Sequence, residues 1–272
     1  MKKLSVITIC YNEPNLEETC KSIINQTWQD FEWIVVDGAS NKETLDIFEK
    51  YKYRIDKFIS EPDNGIYSAC NKGIKLAECE YIQFLNAGDS YYSSNSLENV
   101  FKNTTYDEDI IYGEIEEIHK NNPKKNTISK QSEITKEFMI SSCIQTPAAF
   151  IKKEMFEKYG LYDENYKIVS DYEKFVVFFI NNATFKHLNT VVSRFDKSGI
   201  SSNKKYQSLH LKERQEVLNK YFSKTEIEKA SKKSKKFSLL EKIFSITNSK
   251  GKSHKIITIL GISFRIRRNI NA

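Results

Sequence analysis

This sequence predicts an α/β fold: a mainly parallel central sheet flanked by helices. Three observations carry that prediction. Short β-branched runs alternate with amphipathic stretches of roughly ten residues, the spacing of right-handed strand–helix–strand units. The strand runs are almost wholly apolar, as expected where helices cover both faces of a sheet. Three early acids also fall at strand ends: Asp37 closes Trp33–Val36, Asp63 follows Phe58-Ile59-Ser60, and Asp89 lies just past Tyr81–Phe84. In an open parallel sheet ligands bind outside the carboxyl ends of the strands. Carboxylates gathered there suit a metal, a ribose or a base edge.

Leu4–Cys10 is a β-branched strand. Residues 15–24 place Leu16, Cys20, Ile23 and Ile24 at helical spacing. A strand at 33–36, a helix near 42–51, a short strand near 57–60, a helix near 66–77 and a strand at 81–85 continue the alternation. Beyond it the pattern is less regular. Asp109–Gly113 reads as a strand, 120–125 as a hairpin tip, and 130–143 as part of a flap over the second substrate. A helix opens near Asp171 and is anchored by the apolar run Phe175–Ile180. Residues 184–195 read as one or two strands, and 206–221 as a helix.

With 272 residues the chain has enough length to bury a sizeable core in one or two domains. Five cysteines, an odd number with no CxxC pair, argue against a disulfide framework or a zinc cluster and for buried thiols in a reducing cytoplasm. His119, His187, His210 and His254 are scattered without metal-ligand spacing and read as structural or surface residues. Met1-Lys2-Lys3 runs directly into a strand, which predicts no secretory leader. No stretch approaches the ~20 apolar residues of a membrane span.

Charge divides the chain. Residues 201–272 carry 18 Lys/Arg against 5 Asp/Glu, whereas residues 1–200 carry 24 against 31. The basic end reads as a helical extension, with a solvated run Lys232-Lys233-Ser234-Lys235-Lys236 and apolar stretches at 237–246 and 256–266. Residues 232–268 suit either a solvated face or an anionic membrane surface, at about 1 kcal/mol per basic residue near the lipid. The basic run has no interleaved aromatics and no zinc-finger or RNP-type motif, so nucleic acid is not expected as a partner.

An ordered set of segments resembles the family 2 glycosyltransferases. It comprises Ser5–Glu13, Ser22–Thr27, Trp33–Ser40, Glu61–Tyr67, Ala69–Gly73, Phe84–Asp89, Thr146–Ile151, Gly160–Glu164 and Ser170–Glu173. Each is weak alone; the series in order is specific and spans about residues 3–200. The resemblance is greatest to bacterial enzymes of surface-polysaccharide synthesis (capsule, O-antigen or exopolysaccharide). It implies a GT-A nucleotide-diphospho-sugar transferase fold, with a nucleotide-sugar half at about 1–104, an acceptor half at about 105–200 and the basic extension at 201–272. It also implies inverting transfer of a hexosyl or N-acetylhexosaminyl group. The donor would be a nucleoside diphosphate sugar, UDP-linked by analogy, and the acceptor a saccharide or lipid-linked saccharide. A cytoplasmic protein, peripheral on the inner face of the membrane, follows, with oligomerisation left open.

The same resemblance assigns roles. Asp89 is the metal carboxylate, for Mn²⁺ or Mg²⁺, both of which suit oxygen-rich sites. Asn86 and Gly88 stand where many relatives have acids, so the metal motif rests on one carboxylate; Asn86 suits a ribose or a metal-bound water. Asp37 accepts a hydrogen bond from the base, since a carboxylate only accepts. Thr8, Tyr11 and Glu13 line the base and ribose pocket, and Glu13 also suits the first turn of a helix. Asn64, Asn71, Lys72, Ala87 and Gly88 are further donor-contact residues, although Lys72 reads equally as a solvated lysine. Asp171 is the general base, and Glu173 the alternative; Ser170 and Asp171 are also good helix N-caps.

Two other functions compete. A nucleotidyltransferase would need a Gly-rich basic loop after the first strand, and Tyr11-Asn12-Glu13-Pro14 is neither. A non-catalytic, transferase-like subunit would bind a membrane or partner through the basic tail, and the thinned acidic motif at Asn86 and Gly88 favours it.

Overall fold

Strand β1 (Leu4–Cys10) is an interior strand of the sheet, and all seven of its residues are buried. β2 (Phe31–Asp37) is buried along its whole length too. β1 pairs in parallel with β2 and with β4 (Tyr81–Phe84), and β2 pairs in parallel with β3 (Lys57–Ser60). The structure is a computed structural model and describes residues 2–119, 123–130, 133–197, 204–232, 244–248, 254–259 and 262–267. The described chain forms two units: residues 1–134 with 143–217, and residues 135–142 with 218–272.

In the first unit, α1 (Leu16–Ile24), α2 (Lys42–Tyr51) and α3 (Ile66–Leu76) cross between the parallel strands. Their ends are fixed by local chemistry. Glu17 and Glu18 lie in the first turn of α1, where the helix dipole favours acids. The Asn41 side chain accepts from Thr44 N and caps α2. α3 packs so close to β1 that a Cβ on Gly73 would lie 2.5 Å from Ile7 Cγ2. Trp33, Phe31, Ile7 and Leu16 are fully buried, each contributing about 1.5–3 kcal/mol relative to exposure.

The rest of this unit turns the sheet mixed. β5 (Ser90–Tyr91) and α4 (Ser96–Phe101) precede β6 (Ile110–Ile118) and β7 (Thr127–Ser129). β8 (Ala149–Lys152), α6 (Lys153–Tyr159), α7 (Ser170–Ile180) and β9 (Phe185–Asp196) follow. β8 inserts antiparallel between β4 and β6, and β9 runs parallel to β6, giving the order β3-β2-β1-β4-β8-β6-β9-β5 with β7 paired to β6. Parallel pairing therefore holds throughout the first half and recurs in the second between β6 and β9, with β5, β7 and β8 added antiparallel. The second half is threaded through β8, a four-residue strand that immediately follows Thr146–Ala148 and reverses the direction. A bulge at Gly113 lets β6 approach β9, where a Cβ would meet Thr190 O at 2.8 Å. The turn between β6 and β7 matches the expected hairpin tip, of which residues 120–122 lie outside the described part.

α8 (Gln207–Tyr221) forms as expected, and the chain is helical again over 224–232. In the second unit, α5 (Lys136–Ser141) is capped by Thr135 Oγ1, and Lys136 pairs with Glu226 at 2.7 Å. These residues fall within the segment expected as a flap; 131–132 lie outside the described part. The helical expectation for the far tail is corrected. Its described residues form an antiparallel sheet of β10 (Phe244–Asn248), β11 (His254–Ile259) and β12 (Ile262–Arg267). Their isoleucines and threonines favour a pleated surface over a helix. The polybasic run 233–236 lies outside the described residues. Among the described residues no helix is long and apolar enough to cross a membrane. All five cysteines are free thiols.

Candidate active site

Three polar clusters lie along the carboxyl edge of the parallel strands, all within the first unit. At the first, Asp37 ends β2 and is fully buried. Its Oδ2 accepts from Ser40 N at 3.0 Å and Ser60 Oγ at 2.6 Å. Its Oδ1 is buried without a hydrogen-bond partner. A buried orphan acceptor is costly, of order 1–3 kcal/mol, unless a ligand donor reaches it. The loops above are tied together, Asn12 N donating to Ser40 Oγ at 2.8 Å and Asn41 N to Asn12 Oδ1 at 2.7 Å. Asn12 and Ala39 both take left-handed backbone, with φ of 51° and 62°. Such strain gathers where a ligand must be met by a fixed loop.

Tyr11 stands 69% exposed over this cluster, its ring 3.3 Å from where a Gly38 Cβ would be. Asp63 Oδ2 lies on the other side of the same point, at 3.2 Å. Lys72 is bound to Asp63 at 2.5 Å and to Glu61 at 2.8 Å, and the Asp63 contact holds its ammonium above the usual lysine range. That lysine is partly exposed, and a phosphate would reach it only by breaking an ion pair. Thr8 is buried, its hydroxyl accepting from Trp33 Nε1 at 3.0 Å. The Thr8 side chain therefore braces the core, which leaves only its backbone for a pocket. Asn71 is likewise committed. Its amide donates to Tyr162 O at 3.0 Å and Glu164 Oε1 at 2.9 Å, while its oxygen accepts from Tyr162 N at 3.0 Å. Asn64 is exposed on the loop before α3.

The second cluster surrounds Asn86–Asp89. Leu85 N and Ala87 N donate to Ile7 O and Ile9 O, so the β1–β4 pairing continues into the loop. Gly88 has φ of 99°, and a Cβ there would meet Glu13 Cδ at 3.3 Å. The Glu13 carboxylate also accepts from Asn15 N at 2.9 Å. Thr19 fastens the loop from below, accepting from Gly88 N at 3.0 Å and donating to Asp89 O at 2.6 Å. Asp89 is buried and its Oδ1 accepts from Asp196 N at 3.1 Å, which brings a second carboxylate residue to the same place from the end of β9. Asn86 Oδ1 is buried with no hydrogen-bond partner. No group of three or more His, Cys, Asp or Glu converges among the described residues. The donors present are oxygens only, and they fit a hard cation that completes its shell with phosphate, as Mg²⁺ does with one or two carboxylates.

The third cluster holds Asp171, half-buried in the first turn of α7. Tyr67 OH donates to its Oδ1 at 3.0 Å, and Thr146 Oγ1 donates to its Oδ2 at 3.0 Å. Burial, then the Asp171 charge, pushes the Tyr67 phenol well up, so Tyr67 remains a donor. Burial also raises the Cys70 and Cys143 thiols beside this carboxylate, and it lowers His210 on α8. Glu173 is buried in the α7 turn beyond Asp171. Tyr67 and Thr146 belong to matched segments but carry no local signal for a role; both stand in the first turn of an element after a loop, the place where a hydroxyl reaches a neighbour. A cavity of about 490 Å³ lies at the opposite edge of the sheet, lined by Asp109, Lys158 and Asn182, and takes no part in these clusters.

Residues 5–160 match Glycosyl transferase family 2. The chain belongs to this family. Related sequences agree with this family 2 assignment. The chain is 29% identical over 188 residues to the "PGL/p-HBAD biosynthesis glycosyltransferase" of Mycobacterium bovis, covering 67% of this chain and 72% of that one. It is 29% identical over 203 residues to a glycosyltransferase of Rickettsia prowazekii, covering 70% and 63%. Among solved structures, S. aureus TarS 1-349 in complex with UDP-GlcNAc superposes with a TM-score of 0.58 at 19% identity, over 72% of this chain and 58% of that one. The mannosyltransferase PcManGT of Pyrobaculum calidifontis, in complex with GDP-Man and Mn²⁺, gives 0.54 at 17% identity, over 71% and 56%. The chain thus spans about three fifths of these solved chains. The family 2 enzyme has the GT-A fold, as the sequence implied.

Proposed function

We propose that this family 2 glycosyltransferase moves a sugar from a UDP-sugar to a saccharide or lipid-linked saccharide, with inversion, in the synthesis of a bacterial surface polysaccharide. The observation that carries the donor half is the buried, partnerless Asp37 Oδ1. A uracil imide N–H satisfies it, and Tyr11 beside Gly38 offers a ring for the base to stack on. The complexes of TarS with UDP and UDP-GlcNAc support the same nucleotide. Residues 1–104 form the donor half in this reading, with Glu13, Ala87 and Gly88 against the ribose and diphosphate.

Asp89, with Asn86 Oδ1 and the neighbouring Asp196, would hold Mn²⁺ or Mg²⁺. Such a cation, when bound, supplies countercharge to the diphosphate. Mn²⁺ in the PcManGT complex supports that class of ion. Asp171 is the base. The acceptor hydroxyl gives its proton to the Asp171 carboxylate as its oxygen attacks C1 of the sugar; the bond from C1 to the diphosphate oxygen breaks and UDP leaves. Tyr67 and Thr146 aim the carboxylate, and either gives way to the incoming hydroxyl. One displacement inverts C1 and needs no covalent sugar–enzyme bond. The acceptor half, 105–200, supplies Asp171, and residues 232–268 attach the enzyme to an anionic cytoplasmic membrane face.

Release of UDP from a panel of UDP-sugars, with bacterial lipid extracts as acceptor source, tests this reading. Turnover by the native chain and its loss in Asp171→Asn with UDP binding intact are expected. Equal turnover by both would remove Asp171 as the base. Turnover by neither, with UDP still bound, would favour the non-catalytic subunit.

A further inference from the structure

The base candidate stands in the first turn of α7, whose N-cap residue Val169 supplies no side-chain cap. The loop before it is held instead from α8. Glu213 is 5% exposed, and its two carboxylate oxygens accept from consecutive backbone amides, Lys167 N at 2.8 Å and Ile168 N at 2.9 Å. The carbonyl of the same residue, Ile168 O, accepts from Tyr67 OH at 2.7 Å, and the single proton of that hydroxyl is shared with Asp171 Oδ1 at 3.0 Å in a three-centre bond. Glu213, the 167–168 backbone, Tyr67 and Asp171 are thus one connected chain of hydrogen bonds. Each link fixes the next: two bonds to adjacent amides set both the position and the tilt of the loop, and the loop carbonyl sets the rotor of the phenol.

We propose that Glu213 is a positioning residue for the transfer reaction, acting through Ile168 and Tyr67 on Asp171; this rests on the reading of Asp171 as the base. It draws α8 into the transferase. The family match ends at residue 160, and the charge pattern had put everything after 200 into a basic extension, yet α8 up to Val217 belongs to the first unit. A side chain that merely stabilised the fold would leave the chemical step alone. A side chain that aims the base affects that step, because displacing a reacting group by about 1 Å costs up to about 100-fold.

The test uses the full-length chain, with UDP-GlcNAc, UDP-glucose, UDP-galactose, GDP-mannose and dTDP-rhamnose as donors and water or lipid extract as acceptor. Nucleoside diphosphate release gives kcat and donor KM for the native chain, Glu213→Gln, Tyr67→Phe, the double variant and Asp171→Asn. The Gln amide would place a donor against one backbone N–H. The expected result is a fall in kcat of about tenfold in each single variant, with donor KM unchanged and the double variant no slower than the slower single. Glu213→Asp, which keeps both acceptor oxygens, replaces the Gln variant if that one does not fold, with the same fall in kcat expected. Unchanged kcat in the Glu213 variant, or losses that multiply in the double variant, would overturn the proposal while leaving Asp171 as the base. Native turnover in Asp171→Asn, or no turnover of any donor by the native chain, would overturn both.

Discussion

Tyr67 and Asp171 lie 104 positions apart and are joined by a 3.0 Å hydrogen bond, the phenol donating to the carboxylate. Tyr67 lies in the first turn of the helix after β3, and Asp171 in the first turn of the helix before β9. Their contact joins the two helix starts and gives the Asp171 carboxylate a defined direction.

Asp171→Asn keeps the size of the side chain and removes its capacity to take a proton. We expect kcat to fall by about 10²–10⁴ while the affinity for UDP is unchanged. Turnover assays paired with nucleotide titration check it.

Asp37→Asn tests the base contact. Oδ2 already accepts from Ser40 N and Ser60 Oγ, so the Asn oxygen must take that side and its NH₂ the orphan side. A donor then faces the imide N–H. UDP affinity should fall about 10–100-fold, the range of a lost charge-assisted hydrogen bond. Calorimetric titration reads it directly.

Gly73→Ala tests the packing of α3 on the sheet. The new methyl would lie 2.5 Å from Cγ2 of fully buried Ile7, whose β-branched side chain has no free rotamer to retreat into. A loss of about 1–3 kcal/mol in unfolding free energy is expected, measured in urea.

The buried thiols give the fold an alkaline limit. Burial pushes Cys10 and Cys20 up to about 12. Their folded values lie above the unfolded one, so the stability they confer is complete below about pH 8.5 and is lost as pH rises toward 12. Melting temperature should decline across that window, and Cys10→Ser with Cys20→Ser should flatten the decline. At pH 8 a thiol reagent should react with Cys10 and Cys20 only after unfolding.

The parallel half of this fold was legible because its strands are buried on both faces and therefore uniformly apolar, and because Asp37 and Asp89 mark strand ends. The second half was less so. β5 has two residues and β8 four, too short for periodicity to register, and β8 reverses direction through tertiary pairing alone. Asp37, Asp89 and Asp171 were visible as acids beside apolar runs. Asn71 and Lys72 carry the right chemistry for a donor, but their partners Tyr162 and Asp63 are set by the fold, and those partners decide their roles. Thr19, Thr146 and Glu213 act through long-range contacts to backbone or carboxylate, for which a sequence holds no local signal. The basic charge of the tail suggests a solvated helical face, whereas its described isoleucine-rich strands follow β propensity.

The most direct test of the central claim is a thermal-shift titration of the intact chain with UDP, GDP, dTDP and CMP, with and without Mn²⁺ or Mg²⁺. A ligand that binds only the folded state at 100 times its Kd stabilises it by about 2.7 kcal/mol. Melting temperature is expected to rise with UDP, more so with the cation, and that rise is expected to be lost in Asp37→Asn and retained in Asp171→Asn. No rise with any of the four nucleotides, or a UDP response indifferent to Asp37, would contradict that claim.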